Sequence, residues 1–132
     1  IRDRHSAERY RTRAERWVGE MARIDEALTT LLTAQATSGP TALYAQSEEI
    51  QRLGNDSAAL VQKVKVTEVP VAIVGLQEQT LEAAQAYLDT ALSVAHWIGA
   101  PSDTSRRDAL ETLRAARALR VGLENSRWLV RE

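Results

Sequence analysis

Cysteine is absent from the 132-residue chain, so disulfides, thiolate nucleophiles and cysteine-ligated metals are excluded. Phenylalanine is absent as well, and aromatics make up only 5% of the residues, so aliphatic side chains must fill the core. With 6 glycines and 3 prolines, turns are few, and neither a Gly-rich phosphate loop nor a Walker-type GK[ST] sequence occurs. The longest apolar run, Val69–Leu76, is broken by Pro70 and Gly75. It falls far short of the ~20 residues a membrane-spanning helix needs. No signal peptide is recognisable. Nor is there an excess of either charge: 17 basic residues face 18 acidic ones, for a net charge of −1. A nucleic-acid-binding domain normally carries a basic surplus, so no nucleic acid is expected as a partner.

What is present is helix. Alanine, leucine, arginine and glutamate are abundant, and all favour helices. Turn signals gather at Thr37-Ser38-Gly39-Pro40, Thr67-Glu68-Val69-Pro70 and Gly99-Ala100-Pro101-Ser102-Asp103. Proline suits a first helical turn, and Gly39 and Gly99 are placed to close the preceding helices in the left-handed conformation. Ser105 followed by Asp108 resembles a capping box. These signals predict helices over about 2–37, 40–66, 69–98 and 103–131.

Each segment carries a seam of apolar residues at helical spacing. The first runs Tyr10, Ala14, Trp17, Met21, Ile24, Leu28, Leu31. The second runs Leu43, Ile50, Leu53, Ser57, Leu60, Val64, and its phase passes unbroken through Gly54-Asn55-Asp56, which predicts one continuous helix. Ile73, Leu76, Thr80, Ala83 or Ala84, Tyr87, Ala91, Val94 and Ile98 line the third. Leu110, Leu113, Ala116, Leu119, Leu123 and Val130 line the fourth. Connections this short make consecutive helices antiparallel neighbours. The chain is thus expected to be all-α, a single up-down-up-down antiparallel four-helix bundle spanning residues 1–132.

That topology puts both termini and the turn near residue 68 at one end. Basic residues crowd there: Arg2, Arg4, Arg9, Arg11, Arg13, Arg16, Lys63, Lys65, Arg127 and Arg131. The third helix is the reverse, with no lysine or arginine between Val66 and Ser105, and its acids are expected to face Arg114, Arg117 and Arg120. Lysines and arginines near a helix C-terminus favour its dipole, but the arginines from Arg2 to Arg16 follow a helix N-terminus and need another reason. Arg2, Arg4, Arg9, Arg11, Arg13, Arg16, Arg127 and Arg131 therefore form a candidate basic end facing a partner or an anionic membrane surface. Trp97 and Trp128 lie off their seams and are candidate exposed aromatic anchors, whereas Tyr10, Trp17 and Tyr87 belong to the core.

Catalytic chemistry is hard to assemble. A ferritin-like dimetal site needs Glu-x-x-His, but Ser93 precedes His96 and Arg2 precedes His5 at that spacing. His5 and His96 belong at opposite ends of the bundle. Glu78 and Glu82 share a helix face as solvated charges. A non-enzyme without metal or cofactor is expected.

In length, short turns and co-located, uncapped termini the chain resembles the extracytoplasmic four-helix bundles of bacterial sensors and anchored envelope proteins. The opening residue Ile1 and the two uncapped ends fit a piece of a longer, tethered chain. The resemblance implies a binding, sensing or scaffolding module of the cell envelope, monomeric or homodimeric, taking a protein or small-molecule ligand. The alternative is a soluble cytoplasmic interaction module that dimerises through the first seam.

Overall fold

The heptad seams become four helices in the computed structural model, which describes residues 2–34 and 40–130, with side chains over 4–34 and 45–130. They are α1 (Arg2–Thr33), α2 (Pro40–Val66), α3 (Val74–Gly99) and α4 (Asp103–Glu124); a single 3₁₀ turn, Val71–Ile73, leads into α3. The chain is an all-α four-helix bundle. Ties between helices fix its directions. Arg106 donates to the Leu32 carbonyl and Arg117 to Asp25, so numbers fall along α1 as they rise along α4. Lys63 with Glu20, and Gln77 with the Val64 carbonyl, set α2 antiparallel to α1 and α3 to α2.

Every seam residue of α1 is buried, as is the full stripe expected on α3. The seam of α2 is buried from Ile50 to Val64 and passes through Gly54 without a break; Leu43 lies outside the described side chains. The backbone of α3 comes closest to α4 and α2, and α1 stands farther off. Side-chain size explains the difference. Ala83, Ala84 and Ala91 let the neighbours of α3 approach, whereas α1 reaches inward with Tyr10, Trp17 and Met21. Tyr10 and Trp17 meet edge to face, with ring centroids 5.7 Å apart. The hydroxyls of Ser57, Thr80 and Thr90 enter the core at little cost, because each donates to the carbonyl four residues back in its own helix.

Several boundaries differ from expectation, each for a local reason. The capping box of α4 is formed by Ser102 and Ser105, three residues before the predicted one, with reciprocal 3.0 Å bonds between each side chain and the other's amide. Gly99 remains helical with no left-handed turn, and Ala100 closes α3 by donating to the His96 carbonyl. The turn at 37–39 lies outside the described residues.

Most consequentially, α4 ends at Glu124 and not near 131. Asn125 and Ser126 close the last turn twice over: their backbone amides donate to the Val121 and Leu123 carbonyls, and Asn125 Nδ2 and Ser126 Oγ add second bonds to the same two acceptors. Beyond them the chain folds back, leaving Val130 52% exposed instead of on the seam. The fold-back lays the Trp128 indole over Gly75, where a Cβ would stand only 2.6 Å from Cζ2. A Cβ there would have to push the indole aside.

That contact is testable. Gly75→Ala should displace the indole and red-shift tryptophan fluorescence. In a Trp128→Ala background the same change should instead stabilise by up to about 1 kcal/mol, the ordinary gain of alanine over glycine in a helix. Equal effects in both backgrounds, measured by urea denaturation, would refute the contact.

Candidate functional site

The most concentrated polar chemistry is internal and joins three helices. Asp25 of α1 is only 6% exposed, set between Val18 and Leu32 on a buried flank beside the seam. Its carboxylate accepts from Tyr87 Oη of α3 at 2.6 Å, and from Arg117 of α4 through Nη2 at 2.7 Å and Nε at 3.1 Å. Arg120 donates through Nε to Tyr87 Oη at 3.0 Å, lies 3.8 Å from the carboxylate, and pairs through Nη1 with Glu124 at 2.6 Å. Thr29 accepts from Arg117 and donates to the Asp25 carbonyl. Two carboxylates and two guanidiniums make the cluster neutral.

Burial alone would raise the Asp25 pKa. The hydrogen bonds from Arg117 and Tyr87, with the charges of Arg117 and Arg120, overcome it and hold the carboxyl below the usual aspartate range. Burial, reinforced by Asp25, pushes the Tyr87 hydroxyl well up, so it stays a protonated donor. A carboxylate held ionised with its lone pairs occupied is a poor general acid or base, and a good pin between helices.

This arrangement corrects one expectation: Arg117 and Arg120 turn to Asp25 and Tyr87, not to the acids of α3. Those acids, Glu78, Glu82 and Asp89, are solvent-exposed. Sequence reasoning missed Asp25 because it stands between Ile24 and Glu26 in an otherwise charged stretch. The available signal was the seven-residue repeat Val18, Asp25, Leu32, a second stripe beside the first.

The predicted basic end divides. Arg9 and Arg13, one turn apart on α1, line a cavity of about 350 Å³ with Ser6 and Tyr10, and residues 67–70 form its other wall. Arg4 and Arg16 are exposed nearby. Arg11 is half-buried and pairs with Glu8 at 2.9 Å, while Arg127 lies 4.6 Å from the centre of the Trp128 ring. The side chain of Arg2, and Arg131 altogether, lie outside the described residues. Neither Trp97 nor Trp128 is an exposed anchor: both are half-buried against the core.

The exposed apolar residues of this end are valines that the sequence reading passed over. Val66, Val71 and Val74 are 69%, 90% and 42% exposed around the turn between α2 and α3. Among the described residues two buried polar atoms lack any partner, Tyr10 Oη and Arg11 Nε, both on the termini-proximal part of α1. Each such group ordinarily costs about 1–3 kcal/mol. Burial, opposed by Arg13, pushes the Tyr10 pKa up to about 12.

Among the described residues no three His, Asp or Glu side chains are grouped to hold a metal ion, and no helix is long and apolar enough to cross a membrane. Compared with known protein families, curated proteins and solved structures, the chain matches none.

Asp25 generates a prediction with a defined sign. Its depressed pKa means it stabilises the fold above the unfolded-state value of about 3.9 and loses that contribution as pH falls through the folded value. Asp25→Asn should therefore cost about 2 kcal/mol at neutral pH, since two arginines lose their buried counter-charge. Urea midpoints should show the gap to wild type closing below about pH 4. A pH-independent gap would mean the carboxylate's charge is irrelevant.

Proposed function

We propose that this chain is a non-catalytic binding, sensing or scaffolding module of a bacterial envelope protein, held on the extracytoplasmic side with its termini-bearing end toward the membrane. One observation supports the reading above all others. Exposed Val66, Val71 and Val74 stand at the same end as Arg4, Arg9, Arg13, Arg16, Lys63 and Lys65. A surface that mixes apolar side chains with basic ones suits the interface of an anionic bilayer, where each basic residue near the surface is worth about 1 kcal/mol. Val71 has no packing role that would explain its exposure.

The acids at this end, among them Glu8, Glu15, Glu20 and Glu68, moderate the attraction without cancelling it. The alternative, a soluble interaction module, would use the same valines against a protein. It loses its simplest form, a dimer through the first seam, because Tyr10 to Leu31 are consumed in the core of the single chain.

Co-sedimentation with vesicles tests the reading. Binding is expected to phosphatidylcholine vesicles containing phosphatidylglycerol but not to phosphatidylcholine alone, and should weaken as salt is added. Val71→Glu should abolish it while shifting stability by less than about 0.5 kcal/mol, as befits an exposed site. No binding to anionic vesicles at low salt would leave the soluble module as the better account.

A further inference from the structure

The cavity between α1 and the α2–α3 turn brings basic, hydroxyl and apolar groups together. Arg9 and Arg13 present two planar forks one helical turn apart, a geometry suited to the several acceptor oxygens of a phosphate. Glu68 is the lining's acid, so with two arginines against it the wall keeps a positive charge. Ser6 Oγ accepts from Arg9 at 3.4 Å and retains its own proton to donate. Thr67 is different: its proton is spent on the Lys63 carbonyl at 2.6 Å, so it contributes shape alone.

Tyr10 supplies the independent sign. It is 4% exposed, forms part of the cavity wall, and its hydroxyl is a donor with no acceptor. Its raised pKa keeps the proton in place throughout the physiological range. The Arg13 charge acts on this hydroxyl, and a small shift of the ring would let an anion held in the cavity supply the missing acceptor.

The rim points to the source of that anion. Val69 and Pro70 belong to the wall, and Val66 and Val71 flank them in the chain with most of their surfaces exposed. A free phosphate gains nothing from such a rim, whereas a phospholipid brings acyl chains to it. We propose that this cavity seats the phosphate of an anionic phospholipid headgroup, with Arg9 and Arg13 as counter-charges, Ser6 and Tyr10 as donors, and the valines in the bilayer interface. The assignment rests on the membrane-facing reading and makes it specific.

The test compares two charge-matched variants on phosphatidylglycerol-containing vesicles. The Arg16→Gln/Lys65→Gln pair removes two basic groups from the same end but outside the cavity, and should lose about fivefold in affinity per charge. The Arg9→Gln/Arg13→Gln pair should lose about tenfold more than that control. Tyr10→Phe should also weaken binding several-fold while its thermal midpoint holds or rises, because the hydroxyl it removes has no partner in the free protein.

Equal losses in the two pairs, with Tyr10→Phe silent, would overturn the cavity and leave a membrane-facing base held by diffuse charge. Inorganic phosphate, followed by NMR at Arg9, Arg13 and Tyr10, separates the sources. Shifts there without any vesicle binding would overturn the lipid assignment in favour of a free-phosphate site. Failure of the wild type with both probes would overturn this site and the membrane-facing reading together.

Discussion

A buried carboxylate holds this bundle in register. Apolar heptads are repetitive, and α3 is the extreme case: its alanines offer similar small surfaces to α2 and α4, so a slip by one repeat would cost little packing. Asp25 removes that freedom. A slip of α1 by seven residues would bring Val18 or Leu32 to its place, leaving Tyr87 without an acceptor and Arg117 and Arg120 without their buried counter-charge. An orphaned charge or buried donor is far more costly than a displaced methyl group. Because its bonds reach α3 and α4 together, the same residue fixes three helices relative to one another. Among the described residues α2 stands outside this network and is set by packing together with the ties of Lys63 and the Val64 carbonyl.

With the middle of the bundle locked, the unusual charge distribution at its base can be divided by cause. Lys63 and Lys65 occupy the last turn of α2, where positive charge complements the helix dipole and needs no other explanation. Arg9, Arg13 and Arg16 are different. The dipole's influence fades within one turn of the helix end, so it neither favours nor opposes them. They also lie on an exposed flank of α1 beside its seam, where burial in the core does not dictate residue type. Their concentration is thus unexplained by folding, and the same holds for Val71.

Most of the fold was legible because it is carried by period. The α1 seam from Tyr10 to Leu31 and the α3 stripe from Ile73 to Ile98 recur at helical spacing, and burial follows that spacing residue by residue. What escaped notice depends on single atoms. The end of α4 is marked by Asn125 and Ser126, whose backbone amides and side chains both turn back to the Val121 and Leu123 carbonyls, a stop weaker in sequence than glycine or proline. Asp25 was hidden by its charged neighbours even though Val18 and Leu32 mark its stripe. At the basic end the sequence could not say that Arg11 turns to Glu8 and Arg127 to Trp128 while Arg9 and Arg13 share a wall. Side-chain direction, not position along the helix, makes that division.

The two ends of α1 also differ in how completely their buried polar groups are satisfied. Around Asp25 the donors and acceptors are matched, and the fourfold charge cluster sums to zero. Fifteen residues earlier along the same helix, Tyr10 Oη and Arg11 Nε are buried with nothing to bond. A helix able to build the first arrangement has no folding reason to leave the second incomplete, since a phenylalanine at position 10 would fill the same space beside Trp17 without stranding a hydroxyl. Folded proteins leave few buried groups unpaired, and those that remain mark strain, bound solvent or a ligand's place. Here Tyr10 lines the cavity together with Arg9 and Arg13, at the end that carries the exposed valines. Stability resides in the middle of the molecule, and the features that stability does not explain gather at its base.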